Sequence, residues 1–265
     1  MKVIGFIYFI TILILFNSCK ERETAPEILQ KTINTIDTVE TIYYKQDVMR
    51  ANPQNPGKTI YTYREMYFKR LIGDSIVGVK GHWYFYNDDK TKITFEDIYD
   101  SDKLIRKNNQ DSTAIKYDLL KYPGFKKNHF WGHNTPYAMQ YIYKQILQHS
   151  EFYRIEKLND TIVNNIDCYQ IIISSENKGS SLPGFNYKLI DMEGNIPIII
   201  LNIDKSNYYP IRVRMENYQT NKPKERFFVD QLYFDLKFNF NIDDKEQFDT
   251  SDEILNGFKT TEITP

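Results

Sequence analysis

The sequence predicts an α+β fold in which a strongly curved antiparallel sheet, an unclosed half-barrel, is covered on its concave side by a helical lid. Three observations predict it. Aromatic residues make up 15% of the chain, including 21 Tyr and 17 Phe, and such side chains favour half-buried strands. Long strand-like runs follow Thr38. Helical periodicity marks residues 27–36 and 135–149, and a sheet with one apolar face needs helices to cover it.

The first residues predict an export signal. Residues 3–16 are almost wholly apolar, a length that suits a signal-peptide core of about 7–15 residues. A membrane-spanning helix needs about 20. The stretch "FNSC" at 16–19 then places a small serine directly before Cys19.

This stretch resembles the lipobox of bacterial lipoproteins, although that family prefers other residues at Phe16 and Asn17. The resemblance implies that residues 1–18 are a lipoprotein signal peptide and that Cys19 carries a diacylglycerol. Acyl chains would then anchor the protein to a membrane, more readily the outer one, facing the periplasm or the cell surface. The alternatives are an ordinary secretory signal with an incidental cysteine, or an uncleaved anchor.

The cysteine content agrees with this interpretation. The chain has two cysteines, so acylation of Cys19 leaves Cys168 without a partner. Cys168 lies in a strand pattern, "NNIDCYQIIIS", and is predicted to be a small buried residue. The absence of a CxxC motif in the sequence argues against dithiol redox chemistry.

The elements follow in order. We expect residues 19–27 to form a tether and residues 27–36 to form a short helix. Residues 38–71 predict a hairpin, because "NPQNPG" at 52–57 is a strong turn signal. A second hairpin is predicted around Asp88-Asp89, and residues 100–133 look irregular.

The second half of the chain begins with a helix. Residues 135–149 predict it, with Asn134 or Thr135 as its cap and Pro136 in its first turn. Strand patterns then resume and end in "RFFVDQLYFDLKFNFNI", where period-two alternation predicts a strand with one buried face. The predicted apolar face carries Phe228, Leu232, Phe234, Leu236, Phe238 and Phe240. Asp230 interrupts this strand and requires a partner or a sheet edge. Residues 251–265 are predicted to form a polar tail. The folded domain is therefore expected to span residues 28–250.

The segment "LNIDKSNYYPIRVRMENY" at 201–218 resembles a recurring unit of the LolA/LolB-type lipoprotein-carrier superfamily. The matching positions are Asp204, Lys205, Pro210, Arg212 and Val213. The next strand, leading into "NIDDKEQF", and the opening helix with "TIYYKQDVMR" are also similar, so the resemblance covers about 28–250. It implies an unclosed barrel with a helical lid whose cavity binds acyl chains. A related domain precedes thioredoxin modules in many Bacteroidota-type lipoproteins, which implies a possible partner.

A search for catalytic chemistry finds little. His129 and His133 are four apart, as helical metal ligands would be, but Gly132 lies between them. The acidic groups at Asp88-Asp89, Asp100-Ser101-Asp102 and Asp243-Asp244 fit turns better than a calcium loop. With a formal net charge of −1 and no basic stripe, the chain does not fit a nucleic-acid binder. We therefore expect no enzyme activity, no metal and no cofactor.

Two functions remain open. In the first, an anchored lipoprotein holds a lipid or other hydrophobic ligand in the half-barrel cavity, with Tyr67, Ile142, Ile146, Phe234 and Phe238 as candidate lining residues. In the second, side chains fill the interior and an exposed aromatic face binds a partner protein of the envelope. An empty apolar cavity would favour the first function, and a filled core with an exposed aromatic patch the second.

Overall fold

The computed structural model describes most of the chain from Glu23 onward. The described residues are 23–52, 54–55, 57–74, 76–122, 126, 135–175, 178–180, 189–191, 195–219 and 227–263. The predicted signal peptide, Cys19, His129 and His133 lie outside these ranges. Among the described helices, none combines the length and the hydropathy that crossing a membrane requires.

The described part of the fold contains three α-helices, two short 3-10 turns and fifteen strands. The helices are α1 (Ala25–Asp37), α2 (Pro136–Gln148) and α3 (Asp244–Gln247), and the 3-10 turns are Ser150–Phe152 and Asp252–Leu255. The strands are β1 (Thr41–Ala51), β2 (Thr59–Arg70), β3 (Val79–Tyr86), β4 (Ile93–Tyr99), β5 (Lys103–Asn108), β6 (Thr113–Asp118), β7 (Arg154–Lys157), β8 (Thr161–Val163), β9 (Ile166–Ser174), β10 (Lys178–Ser180), β11 (Leu189–Asp191), β12 (Asn195–Asp204), β13 (Pro210–Gln219), β14 (Phe227–Phe238) and β15 (Lys259–Ile263).

Thirteen of these strands form one sheet, and β10 and β11 form a separate hairpin. The order along the sheet is β15-β6-β5-β4-β3-β2-β1-β14-β13-β12-β9-β7, with β8 paired to β9. The described pairings are antiparallel, except that β15 runs parallel to β6. The end strands β15 and β7 do not pair with each other in the described residues, so the sheet is unclosed. These features confirm the predicted fold class.

Both long helices form where the sequence predicts them. At the start of α1, the backbone N–H of Thr24 donates to the Glu27 carboxylate at 2.8 Å, which satisfies one of the amides that a helix start leaves unpaired. At the start of α2, the Thr135 hydroxyl accepts the Ala138 N–H at 3.2 Å. The two predicted hairpins are also present, as β1–β2 and β3–β4.

The two long helices, α1 and α2, cover one face of the sheet, which we call the inner face; the opposite face is the outer face. The apolar sides of α1 and α2 meet the inner face in one continuous core. The fully buried large side chains of this core are Trp83, Tyr44, Tyr99, Tyr143, Tyr209, Tyr233, Phe68, Ile28, Leu29, Ile33, Ile42 and Met66. The core is therefore rich in aromatic residues on the strands, with aliphatic residues supplied largely by α1.

Strand β14 does not keep one apolar face along its whole length, and the expectation for residues 228–240 was wrong there. Asp235 has a φ of 55°, and the register between β1 and β14 shifts between Tyr43 and Lys45. This bulge inserts one residue and reverses the alternation. Phe238 therefore packs against the inner-face core, whereas Phe234 lies on the outer face.

Two further segments differ from the sequence prediction. Residues 103–118 form β5 and β6, a hairpin that the charged sequence concealed. Residues 259–263 add β15 to β6 instead of forming a free tail. The reason is burial of Leu255, which packs with Ile105 and Ala114 on the outer face and brings the C-terminal segment to the sheet.

Cys168 is a buried residue of β9, as predicted, with no exposed surface. Burial raises the pKa of its thiol to about 11. It is therefore protonated and unreactive near neutral pH.

Candidate functional site

The space beneath the helices is largely filled in the described part of the molecule. Where α2 begins, the gap between the helix and strands β1–β3 has a volume of about 20 Å³, room for about one water molecule and far too small for a lipid. Ile146 is 1% exposed, and Ile142 packs on the same core. The Phe238 ring lies 4.9 Å from that of Tyr209. These three candidates lie in or against a packed core.

The core nevertheless contains polar groups without partners among the described residues. The hydroxyls of Tyr44, Tyr143 and Tyr209 are buried and make no hydrogen bond there. Burial raises the pKa of Tyr44 well above its ordinary value. The nearby Tyr233 hydroxyl differs, since it donates to Gln231 Oε1 at 2.6 Å. Buried hydroxyls without partners cost stability unless water or a ligand meets them.

Arg64 adds a positive charge at the edge of this group of tyrosines. It lies on the inner side of β2 and is half-buried, and its Nε is buried without a hydrogen-bond partner in the described residues. The guanidinium lies over the Phe85 ring at 5.3 Å. Burial lowers the pKa of Arg64, and no carboxylate of the described chain forms an ion pair with it.

A large open space lies on the outer face, in a groove of about 1020 Å³ that we call the outer groove. Its wall residues come from strands distant in sequence, with Met49 on β1, Tyr61 on β2, Ile162 on β8 and Leu232 on β14. Tyr61 is 70% exposed and Ile162 is 68% exposed. Single exposed apolar side chains are common, but two that line the same groove contribute to a patch of the kind that marks an interaction surface.

Charged groups in the outer groove are mostly paired. Arg212 holds Asp230 with two hydrogen bonds, Nε to Oδ1 at 2.9 Å and Nη2 to Oδ2 at 2.6 Å, and Arg214 adds a third at 3.0 Å. Burial alone would raise the pKa of Asp230, but the bonds and charges of Arg212 and then Arg214 outweigh it and lower that pKa. This confirms that Asp230 needs a partner.

A second ion pair at the groove joins Lys90 Nζ to Asp47 Oδ1 at 2.7 Å. Asp88 also lines the groove, and it has no ion-pair partner among the described residues. With Arg212 and Asp230 included, the lining carries three carboxylates and two cations. Among these lining residues, Asp88 is thus the carboxylate left without a cation in the described chain.

Beside the outer groove, tyrosines surround the Glu65 carboxylate. The hydroxyls of Tyr43 and Tyr63 donate to Glu65 at 3.2 and 3.1 Å. The Tyr67 ring lies 4.6 Å from that of Tyr43, and the Phe234 ring lies 6.2 Å from that of Tyr63. Tyr67 and Phe234 therefore lie on the outer face and cannot line a cavity together with Ile142 and Ile146.

The described residues contain no group of three or more His, Cys, Asp or Glu side chains placed to hold a metal ion. Two of the acidic groups serve turns, as predicted. Asp100 accepts the backbone N–H groups of Asp102 and Lys103 at 3.0 and 2.9 Å. Asp243 accepts that of Lys245 at 2.9 Å.

Sequence reasoning missed a buried polar cluster on the outer face, where α3 crosses the sheet. His82 lies between the Gln247 carbonyl at 2.9 Å and the Glu96 carboxylate at 3.3 Å, and Asn109 donates to Glu96 at 2.8 Å. Burial would raise the pKa of Glu96, but hydrogen bonds from His82 and Asn109, with the charge of Lys107, lower it to about 2. No local pattern signals this cluster, because its members come from four separate segments.

Glu96 predicts a stability change in acid. Its pKa is depressed on folding, so its contribution is complete above about pH 4.5 and declines as pH falls towards 2. Between pH 5 and pH 3, the free energy of unfolding of the wild type should fall by about 2 kcal/mol more than that of the Glu96→Gln variant. Urea unfolding followed by tryptophan fluorescence at both pH values measures this, with exposed Glu253→Gln as the control. Equal falls for Glu96→Gln and the wild type would contradict the prediction.

No family model matches the chain, and no curated protein matches it. Several solved structures do. A putative outer membrane lipoprotein-sorting protein domain from Vibrio parahaemolyticus is 13% identical over 87% of this chain and 97% of its own, with a TM-score of 0.37. LprF from Mycobacterium bovis is 10% identical over 83% and 95%, with a TM-score of 0.48. The LolA superfamily protein NE2245 from Nitrosomonas europaea is 12% identical over 88% and 100%, with a TM-score of 0.35.

Two of these three neighbours are described as an outer membrane lipoprotein-sorting protein domain and a LolA superfamily protein. At such identities and scores the likeness concerns the fold alone.

Proposed function

We propose that this protein is a non-catalytic binding protein of the cell envelope that holds an extended segment of a partner polypeptide in the outer groove. The observation that carries the proposal is the contrast between the two faces of the sheet. The outer groove has a volume of about 1020 Å³, whereas the gap beneath the start of α2 measures about 20 Å³. This is the arrangement of a filled core with an exposed aromatic face.

The lining of the outer groove favours a polypeptide over a lipid. Tyrosine, methionine and arginine side chains lie together there, and these residue types are enriched where proteins bind one another. Acyl chains would cover the Arg212–Asp230 and Lys90–Asp47 ion pairs without offering them hydrogen bonds. A peptide supplies backbone hydrogen bonds, an apolar side chain for Tyr61 and Ile162, and a Lys or Arg for Asp88.

The proposal includes a membrane anchor at Cys19. The lipobox-like "FNSC" supports acylation there, and dual acylation gives stable membrane attachment. The partner would then be another envelope protein, and a thioredoxin-like lipoprotein is the kind that the sequence resemblance suggests. The outer membrane is the expected location.

A hydrophobic ligand with a polar end, held between α2 and the inner face, is the second candidate. The buried hydroxyls of Tyr44, Tyr143 and Tyr209 favour it, together with Arg64, because a carboxylate or phosphate accepts hydrogen bonds from donors of these kinds. Such a ligand would require α2 to move away from the sheet, because α2 packs directly against the inner face.

Site-specific photo-cross-linking tests the first candidate. A cross-linking amino acid is introduced at Tyr61 or Ile162, and at Ile72, which is 90% exposed and lies outside the groove. We expect one polypeptide, identified by mass spectrometry, at positions 61 and 162 and not at 72. Its affinity as a purified protein should fall at least about tenfold for Tyr61→Ala/Ile162→Ser, with Ile72→Ala unchanged.

Equal cross-linking at all three positions, or unchanged affinity of the double variant, would overturn the outer groove as the binding site. Native mass spectrometry of the same preparations tests the second candidate. A bound lipid that is retained by Tyr61→Ala/Ile162→Ser and lost from Tyr143→Phe would favour the interior. A measured mass with no bound lipid would favour the first candidate, in which the outer groove is the binding site.

A further inference from the structure

The first described residue, Glu23, is held against the body of the protein. Its carboxylate accepts the Tyr208 hydroxyl at 3.0 and 3.2 Å and pairs with Lys31. Hydrogen bonds from Lys31 first, and from Tyr169, lower the pKa of Glu23 to about 2. Glu23 therefore stays ionised and paired at neutral pH.

The remaining tether is very short. Residues 20–22 separate Cys19 from Glu23, and four extended residue steps reach at most about 14 Å. The sequence prediction placed the tether at 19–27, but the helix α1 already begins at Ala25. An acylated Cys19 would therefore keep the neighbourhood of Glu23 within about 14 Å of the lipid headgroups.

The surface around Glu23 has the chemistry of a membrane–water boundary. We call Glu23, Lys31, Lys157, Tyr169, Lys205 and Tyr208 the tether patch. The two tyrosine rings stack with their centroids 5.9 Å apart. Lys31 lies over one ring at 4.8 Å, and Lys157 and Lys205 lie over the other at 4.7 and 5.5 Å. Tyrosine and lysine are favoured at headgroup depth, since each combines an apolar part with a polar tip.

Charge alone would not orient the molecule. Asp160 forms ion pairs with Lys157 and Lys205 at 3.7 and 2.8 Å, and Asp167 and Asp204 lie on the adjoining strand ends. The lysines are thus largely balanced by carboxylates. The short tether supplies the orientation, and the amphipathic patch makes that orientation compatible with a lipid surface.

We infer that the tether patch lies against the membrane, so that the protein is held in one orientation with the turn at 205–209 towards the lipid and the β1–β2 turn away from it. This inference rests on the anchoring at Cys19 proposed above. It goes further because it names the face that meets the lipid.

Depth-dependent fluorescence quenching tests the inference. The full chain is purified from membranes and placed in vesicles of phosphatidylethanolamine and phosphatidylglycerol containing a headgroup-quencher lipid. A fluorophore is attached at Ser206→Cys, in the turn beside Tyr208, or at Asn55→Cys, in the β1–β2 turn. Cys168 is buried and does not compete for the label. We expect quenching at 206 to exceed quenching at 55 at least about fivefold.

Two variants supply controls. A flexible Gly-Ser insert of about 20 residues after Lys20 extends the mean reach by roughly 25 Å and should bring the two positions to similar quenching. Glu23→Gln/Tyr208→Phe frees the pinned residue and should reduce the difference in part. If the insert leaves the difference in quenching between positions 206 and 55 unchanged, the tether does not orient the protein.

Equal quenching at 206 and 55 while the protein remains bound to the vesicles would overturn the inference and leave the anchor intact. The remaining outcome is that the protein leaves the vesicles and that Cys19 is labelled in the wild-type chain, which has no introduced cysteine. Such labelling would show that the Cys19 thiol is free. That result would overturn the anchor and this inference with it.

Discussion

Replacing Asp97 with Asn should lower the free energy of unfolding by about 3–5 kcal/mol. Asp97 lies on β4 with a fully buried side chain, and Arg106 on β5 holds it with two hydrogen bonds, Nε to Oδ1 at 2.8 Å and Nη2 to Oδ2 at 2.6 Å. An asparagine has one acceptor where the aspartate has two, so an amide N–H would face a guanidinium N–H. The Arg106 guanidinium would also lose the carboxylate that accepts two of its hydrogen bonds.

Chemical denaturation of three variants measures this. Asp47→Asn removes the same charge from the exposed Lys90 pair and should cost less than about 1 kcal/mol. Asp97→Leu/Arg106→Met removes both charges, and because apolar replacements of buried pairs are often neutral or stabilising, it should be more stable than Asp97→Asn. A loss below about 1 kcal/mol for Asp97→Asn would mean that water reaches the pair.

The parts of the fold that were predictable have local causes. Helix α2 has a capping threonine, a proline in its first turn and apolar residues at helical spacing, and the β1–β2 hairpin has a turn with two prolines and a glycine. Each signal lies within one short stretch of chain. The burial of Cys168 was predictable for the same reason, since β-branched and aromatic neighbours indicate a strand.

The parts that were not predictable depend on contacts between distant segments. Asp235 looks like an ordinary polar position of an alternating strand, yet its left-handed backbone conformation separates Phe234 from Phe238. β15 exists because Leu255 finds Ile105 and Ala114 on the outer face. Alternation within one strand cannot reveal either feature.

The candidate site shows the same limit. The outer groove joins residues of β1, β2, β8, β13 and β14, so its members are scattered through the sequence. Asp230 had a local signal, as a charge in an apolar pattern, but that signal did not connect it to the other members. The prediction that Tyr67 and Ile142 line one cavity requires both residues to lie on the same face of the sheet. In the structure they lie on opposite sides of it.

Replacing Trp83 with Ala should cost about 3–5 kcal/mol of unfolding free energy. The indole lies at the centre of the core with no exposed surface and meets the Phe68 ring edge-to-face, with centroids 5.2 Å apart. Its truncation would leave a cavity among rigid strands that cannot close over it. Phe227→Ala is the control, because that ring is 54% exposed and its loss should cost about 1 kcal/mol.

The space for this indole comes from Gly81, two residues earlier on the same face of β3. A Cβ at Gly81 would lie 2.4 Å from Trp83 Cη2, too close for any real contact, so Gly81→Ala should itself cost about 1–3 kcal/mol. Trp83→Leu removes the clashing atoms, and Gly81→Ala should then cost little in that background. A double-mutant cycle by urea unfolding measures the coupling. Strictly additive losses would show that the glycine is required for a reason other than the indole, because only a shared contact makes the second substitution cheaper than the first.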